Sequence, residues 1–104
     1  MDNFKINKTF IKDLIQGEII SKNDQRGYFE RIYCIDDFKN KFNLHKNIVQ
    51  INRSLSRKKG TIRGCHFQLP PFSETKIVLC SKGSIYDVGV DLRKANVEFL
   101  KQIG

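Results

Sequence analysis

The chain has two histidines, His45 and His66, in unlike surroundings. His45 lies in the polar stretch Asn43-Leu44-His45-Lys46, which reads as an exposed loop. His66 lies inside an apolar run, between Cys65 and Phe67 and two residues before Gln68. A lone histidine in such a run reads first as a buried, hydrogen-bonded core residue. An imidazole also exchanges protons near neutrality, which makes His66 the best general-base candidate here. Gln50 and Asn52 are two apart and share one face of a strand. Arg63 precedes His66 by three positions, and Lys76 heads the next apolar run. Each of these alone reads as a surface residue. Placed on strands that need a buried face, together they describe the polar lining of a ligand pocket.

Periodicity sets one condition on that pocket. Arg63 and His66 have opposite parity, so a regular strand sends them to opposite faces. Gly64 between them would permit a bulge that turns both to one side. Unbroken alternation from Thr61 to Gln68 would exclude it.

The elements that must hold these residues are short strands. A strand is predicted from Gly17, through Ile19 and Ile20, to Asn23-Asp24. Arg26-Gly27 then marks a turn, and Tyr28 to Cys34 a second strand. Asp36 is placed to cap a short helix near 36–42, with Phe38 and Phe42 on one face at i,i+4. Ile48 to Ser54 alternates, with Ile48, Gln50 and Asn52 on one side and Val49, Ile51 and Arg53 on the other. Thr61 to Gln68 reads as another strand, stopped by Pro70-Pro71. Lys76 to Cys80, a turn at Lys82-Gly83, and Ser84 to Leu92 read as a hairpin. One apolar face per strand suits packed antiparallel sheets, as in a jelly roll or small barrel. The expected class is therefore all-β with one short helix.

The remaining bounds are coarse. A chain of 104 residues without an internal linker reads as a single domain, 1–104. The formal charge of +8 raises a nucleic-acid or membrane partner. However, the lysines are spread along the whole length, and the densest run, Arg57-Lys58-Lys59, reads as a solvated turn. A nucleotide diphosphate would suit a few positioned arginines equally well. Neither nucleic acid nor membrane is expected as a partner. Three cysteines at Cys34, Cys65 and Cys80, odd in number and without metal spacing, predict neither a disulfide framework nor a metal site. The first eight residues are polar and charged, unlike a signal peptide, which makes the cytoplasm the expected compartment.

Four blocks of sequence resemble one enzyme family. Gly60-Thr61-Ile62-Arg63-Gly64-Cys65-His66-Phe67-Gln68, followed by Pro70-Pro71, Glu74 and Lys76, is similar to the dTDP-4-dehydrorhamnose 3,5-epimerases. Asp24-Gln25-Arg26-Gly27-Tyr28-Phe29 resembles that family's early D-x-R-G-x-F segment. Val49-Gln50-Ile51-Asn52-Arg53-Ser54 resembles its V-Q-x-N-x-S strand, and the stretch from Gly83 to Arg93 its G-x-I-x-D-V-x-V-D-L-R hairpin. The blocks occur in family order and cover most of residues 17–104.

The resemblance implies a cupin-type jelly roll, a homodimer, and an isomerase that works without metal or organic cofactor. The implied substrate is a dTDP-4-keto-6-deoxyhexose, epimerised at C3, C5 or both in deoxysugar biosynthesis. By similarity His66 is the base and Lys76 stabilises the enolate. Arg63, Gln50 and Asn52 line the sugar or diphosphate site, and Arg26 and Phe29 bind the nucleotide. Where many members carry an acid two places after the phenylalanine, this chain has Arg31. The resemblance also implies that the family domain continues past Gly104, where further strands, a tyrosine acid and a histidine-orienting aspartate would lie. Tyr86 sits in a different motif and is not that acid. On this reading the chain is a C-terminally truncated, incomplete jelly roll whose open edges need a partner. The alternative is a catalytically inactive remnant that at most binds a sugar nucleotide.

Overall fold

Phe4, Ile6 and Lys8 alternate with Lys5 and Asn7, and this stretch forms the first strand, β1 (Phe4–Lys8). In the computed structural model, which describes residues 2–95 and 99–104, β1 pairs antiparallel with β2 (Ile15–Ile19), Phe4 opposite Ile19 and Lys8 opposite Ile15. The connection is closed by Thr9, whose hydroxyl donates to the Leu14 carbonyl at 2.7 Å and accepts from the Ile11 N–H at 3.2 Å. A tight hairpin follows. In it β3 (Lys22–Asp24) pairs with β4 (Gly27–Phe29) around a two-residue loop.

The helix α1 (Ile35–Lys41) supplies the apolar lid of β1. Its Phe38 ring meets Phe4 edge-on at 5.4 Å and Phe42 at 4.7 Å, and Tyr33 closes the group at 4.8 Å from Phe38. Such edge-to-face packing places positive ring edges on negative ring faces. Phe4, Ile11 and Phe38 are the buried apolar residues of the described chain. Polar ties fix the helix to the chain start: Lys41 reaches Asp2 at 2.6 Å, and Asn3 donates to Asp37 at 3.4 Å.

Late in the chain, β5 (Gly89–Val90) pairs with β6 (Gln102–Ile103). Asp91, just past β5, is buried, and a buried carboxylate needs a partner. Arg93 supplies it from Nε at 3.0 Å and also reaches Asp13 at 2.8 Å, clasping the β5 end to the turn at Lys12-Asp13.

By contact the described chain divides into two units, Met1–Asn47 with Tyr86–Gly104, and Ile48–Ile85. The first holds all the regular elements. The second has none among its residues, and every residue in it is exposed.

The regular structure is thus antiparallel β with one short helix, as expected from the sequence. Several expected elements differ. The helix begins at Ile35 because the Cys34 carbonyl accepts the first helical bond, from Phe38 N–H at 3.0 Å; this makes Cys34 the N-cap and puts Asp36 in the first turn. There Asp36 and Asp37 still complement the helix dipole. The strand expected over Tyr28 to Cys34 stops at Phe29, since its partner offers only three residues. Ile48 to Ser54, Thr61 to Gln68 and Lys76 to Cys80 are not strands, and of Ser84 to Leu92 only Gly89–Val90 pairs. A strand exists through its ladder, and these stretches have no ladder partner among the described residues. The Gly64 bulge, which needs a strand to interrupt, falls with them, although Gly64 does take a left-handed φ of 90°. Strands β1 and β6 were not foreseen. Met1, the first of the polar N-terminal residues, lies outside the described part.

Candidate active site

The β3–β4 hairpin builds the best-defined part of the candidate site. Gly27 has a φ of 139°, which a side chain would strain, and this sharp return brings Asp24 opposite Gly27 and Lys22 opposite Phe29. Lys22, Asp24, Arg26, Gly27, Tyr28 and Phe29 line a hollow of about 250 Å³. Both of its cations are held. Lys22 donates to Asn3 Oδ1 at 2.6 Å. Arg26 is held by Asp24 three ways: its backbone N–H donates to Oδ1 at 2.8 Å, and its Nη2 and Nε donate to Oδ2 at 2.7 and 3.3 Å. The Arg26 guanidinium, followed by its backbone N–H, holds the Asp24 carboxyl below the ordinary aspartate range. Tyr28 and Phe29 are exposed, at 72% and 60%. Two cations and two open aromatic rings suit a ligand that is anionic at one end and flat at the other.

The other expected site residues lie in the Ile48–Ile85 unit. Gln50 and Asn52 come together, the amide of one donating to the other at 3.4 Å. Arg63 turns back on its own segment, to Ser56 Oγ and the Leu55 carbonyl, each at 3.0 Å. The His66 ring folds over Gly64, where a Cβ would stand 2.9 Å from Nδ1; the exposed ring could turn aside, and it is the φ of 90° that favours glycine there. His66 and Lys76 are exposed, and neither lines this hollow or a second one between Ile11–Leu14 and Gly89–Arg93. That second hollow belongs to the Asp91–Arg93–Asp13 clasp. Sequence reasoning passed over Lys22, Asp24 and Tyr28. The signal for Asp24 was present in the D-x-R-G spacing, which puts a carboxylate two residues from the arginine it holds.

Among the described residues no group of three or more His, Cys, Asp or Glu is placed to hold a metal ion. No helix of the described residues is long and apolar enough to cross a membrane.

Sequence comparison decides what this arrangement is related to. The sequence model of the dTDP-4-dehydrorhamnose 3,5-epimerases matches residues 8–104. The chain belongs to this family. A dTDP-4-dehydrorhamnose 3,5-epimerase of Shigella flexneri is 37% identical over 97 residues, covering 93% of this chain and 53% of that protein. One from Sinorhizobium fredii is 40% identical over 80 residues, covering 77% of this chain and 40% of that protein. A dTDP-4-dehydrorhamnose 3-epimerase of Streptomyces niveus is 39% identical over 70 residues, covering 67% of this chain and 33% of that protein. The chain therefore spans about half or less of the length of these relatives. Comparison with solved structures gives no match. Family membership accounts for the order of the blocks around Arg26, Gln50, His66 and Asp91, all of which fall inside the matched range.

Proposed function

We propose that this protein epimerises a dTDP-4-keto-6-deoxyhexose at C3, C5 or both, with His66 as the base and Lys76 beside the keto oxygen. The 4-keto group acidifies the neighbouring C–H bonds. His66 takes one of those protons, the electron pair moves onto the keto oxygen as an enolate, and a proton returns to carbon from the opposite face. The Lys76 ammonium offsets the charge that develops on that oxygen. Arg26 and Phe29 hold the nucleotide end, with Arg63, Gln50 and Asn52 toward the sugar and diphosphate. The reading includes a cupin-type jelly roll over residues 1–104 as one domain, a homodimer and a cytoplasmic setting. No cofactor is needed, because a ketone supplies its own electron sink.

The observation that supports this is the family match over residues 8–104, a range that includes all seven of these positions. Relatives bearing both the 3,5-epimerase and the 3-epimerase names match the chain, so one carbon or two is a question for the experiment. The test is deuterium wash-in at C3 and C5 of a dTDP-4-keto-6-deoxyhexose in D2O, read by NMR. Exchange is expected with the native chain, and its loss in His66→Ala by about a hundredfold or more. Exchange that survives His66→Ala would remove the histidine from the mechanism.

A second reading is supported by the state of His66. It is exposed and has no hydrogen-bond partner among the described residues, so its tautomer is not fixed by a neighbour. On that reading the chain binds a dTDP-sugar and does not turn it over. Binding without wash-in, in the same experiment, would select it.

A further inference from the structure

We infer that Asp24 is the positioning residue for Arg26, holding the guanidinium so that its outer edge is presented to the diphosphate of the nucleotide. The inference rests on the reading of Arg26 as a nucleotide contact. Asp24 engages the side chain only through Oδ2, taking Nε and Nη2, while Oδ1 is occupied by the Arg26 backbone N–H. Nη1 and the second N–H of Nη2 have no partner among the described residues. They point along the end of the fork away from the carboxylate, a two-donor edge that matches two phosphate oxygens. Lys22 and the Tyr28 and Phe29 rings stand around the same hollow.

The Arg26 side chain is 90% exposed, so nothing but Asp24 restrains it. An unrestrained arginine loses rotamer freedom on binding, and that loss weakens affinity. Asp24 also repels a diphosphate. That repulsion acts from the far side of the guanidinium, whereas the hydrogen bonds from Nε and Nη2 to Oδ2 are direct contacts at 3.3 and 2.7 Å. The net effect of Asp24 is therefore tighter binding.

Asp24 has two separable duties. Its Oδ1 closes the turn, and its charge holds the guanidinium. Asp24→Asn keeps an oxygen for the Arg26 N–H and removes the charge, so the turn is retained while the arginine is released. The experiment is calorimetric titration of dTDP into the full chain, Asp24→Asn, Arg26→Ala and the double variant. A second readout is the Arg26 Nε–H resonance in a 15N spectrum.

Arg26→Ala is expected to weaken dTDP binding at least about tenfold, and Asp24→Asn about threefold, with broadening of the Nε–H signal. In the Arg26→Ala background Asp24→Asn should weaken binding no further, since the carboxylate then has no guanidinium to hold. A purely structural Asp24 would weaken binding equally in both backgrounds, which overturns the inference. Asp24→Asn that binds dTDP as tightly as the native chain, while Arg26→Ala is weakened, also overturns it and leaves the nucleotide reading standing. A native chain indifferent to dTDP overturns both.

Discussion

The Met1–Asn47 and Tyr86–Gly104 unit and the Ile48–Ile85 unit start from the same sequence pattern and end differently. Both carry alternating apolar residues. In the first, Phe4 lies opposite Ile19 on a ladder and under the Phe38 ring, and it is 4% exposed. In the second, Val49, Ile51 and Ile62 alternate with polar neighbours just as well and are 95%, 84% and 89% exposed. Alternation specifies a face. It does not supply the ladder partner or the layer that covers the face. In the first unit both come from nearby: β2 returns within seven residues of β1, and α1 brings its aromatic pair at i,i+4.

If this contrast is sound, truncating a large apolar side chain should matter in one unit and not in the other. Phe38→Ala removes the ring shared by Phe4, Tyr33 and Phe42 and should cost about 3 kcal/mol of stability in urea unfolding followed by tyrosine fluorescence. Ile62→Ala should stay within about 0.5 kcal/mol, because its side chain buries nothing here. Equal losses at the two positions would mean that the Ile48–Ile85 unit has a core of its own in solution. Gly17→Ala is a finer probe of the first unit. A Cβ there would stand 2.9 Å from two carbons of the Phe42 ring, so the ring must shift, at a cost of about 1–2 kcal/mol in the same assay. No loss would show that the helix sits farther from β2 than its aromatic packing implies.

The same contrast explains what could be read from the sequence. The antiparallel character, the Arg26-Gly27 turn and the Phe38–Phe42 helix face were legible because each is set by residues a few positions apart. Strand β1 was not, because its pattern lies among lysines and asparagines in a stretch that reads as a polar start. The two-residue β6 carries too short a pattern to read, and it is fixed instead by the Asp91 and Leu100 backbone bonds across the loop. For the site, Arg26 and Phe29 were legible as a motif and share a hollow. Lys22 was not, because its place there depends on pairing with Phe29 and on a bond to Asn3, nineteen residues back. His66 and Lys76 stood out by their place in apolar runs, and their roles came from the resemblance. The pocket expected around them rested on strands that have no partner here.

The smallest effect compares two exposed carboxylates held in different ways. Asp2 is kept below the ordinary aspartate range by a bond from Lys41 across 39 positions, and Asp24 by a bond from Arg26 two positions away. In both, the folded state prefers the ionised form. The contribution is therefore full above the unfolded aspartate pKa and disappears as pH falls through the depressed folded value. Because both groups are solvent-exposed, each contribution is small and should shrink further in 1 M salt. Carboxyl 13C titration by NMR separates the two. Lys41→Ala should raise the Asp2 midpoint and leave Asp24 alone, and Arg26→Ala should do the reverse. Mild urea should release Asp2 along with the helix before it releases Asp24, whose partner is on the same turn. Simultaneous release would mean that the hairpin depends on the aromatic cluster for its shape, and that the β3–β4 hollow and the core fold as one.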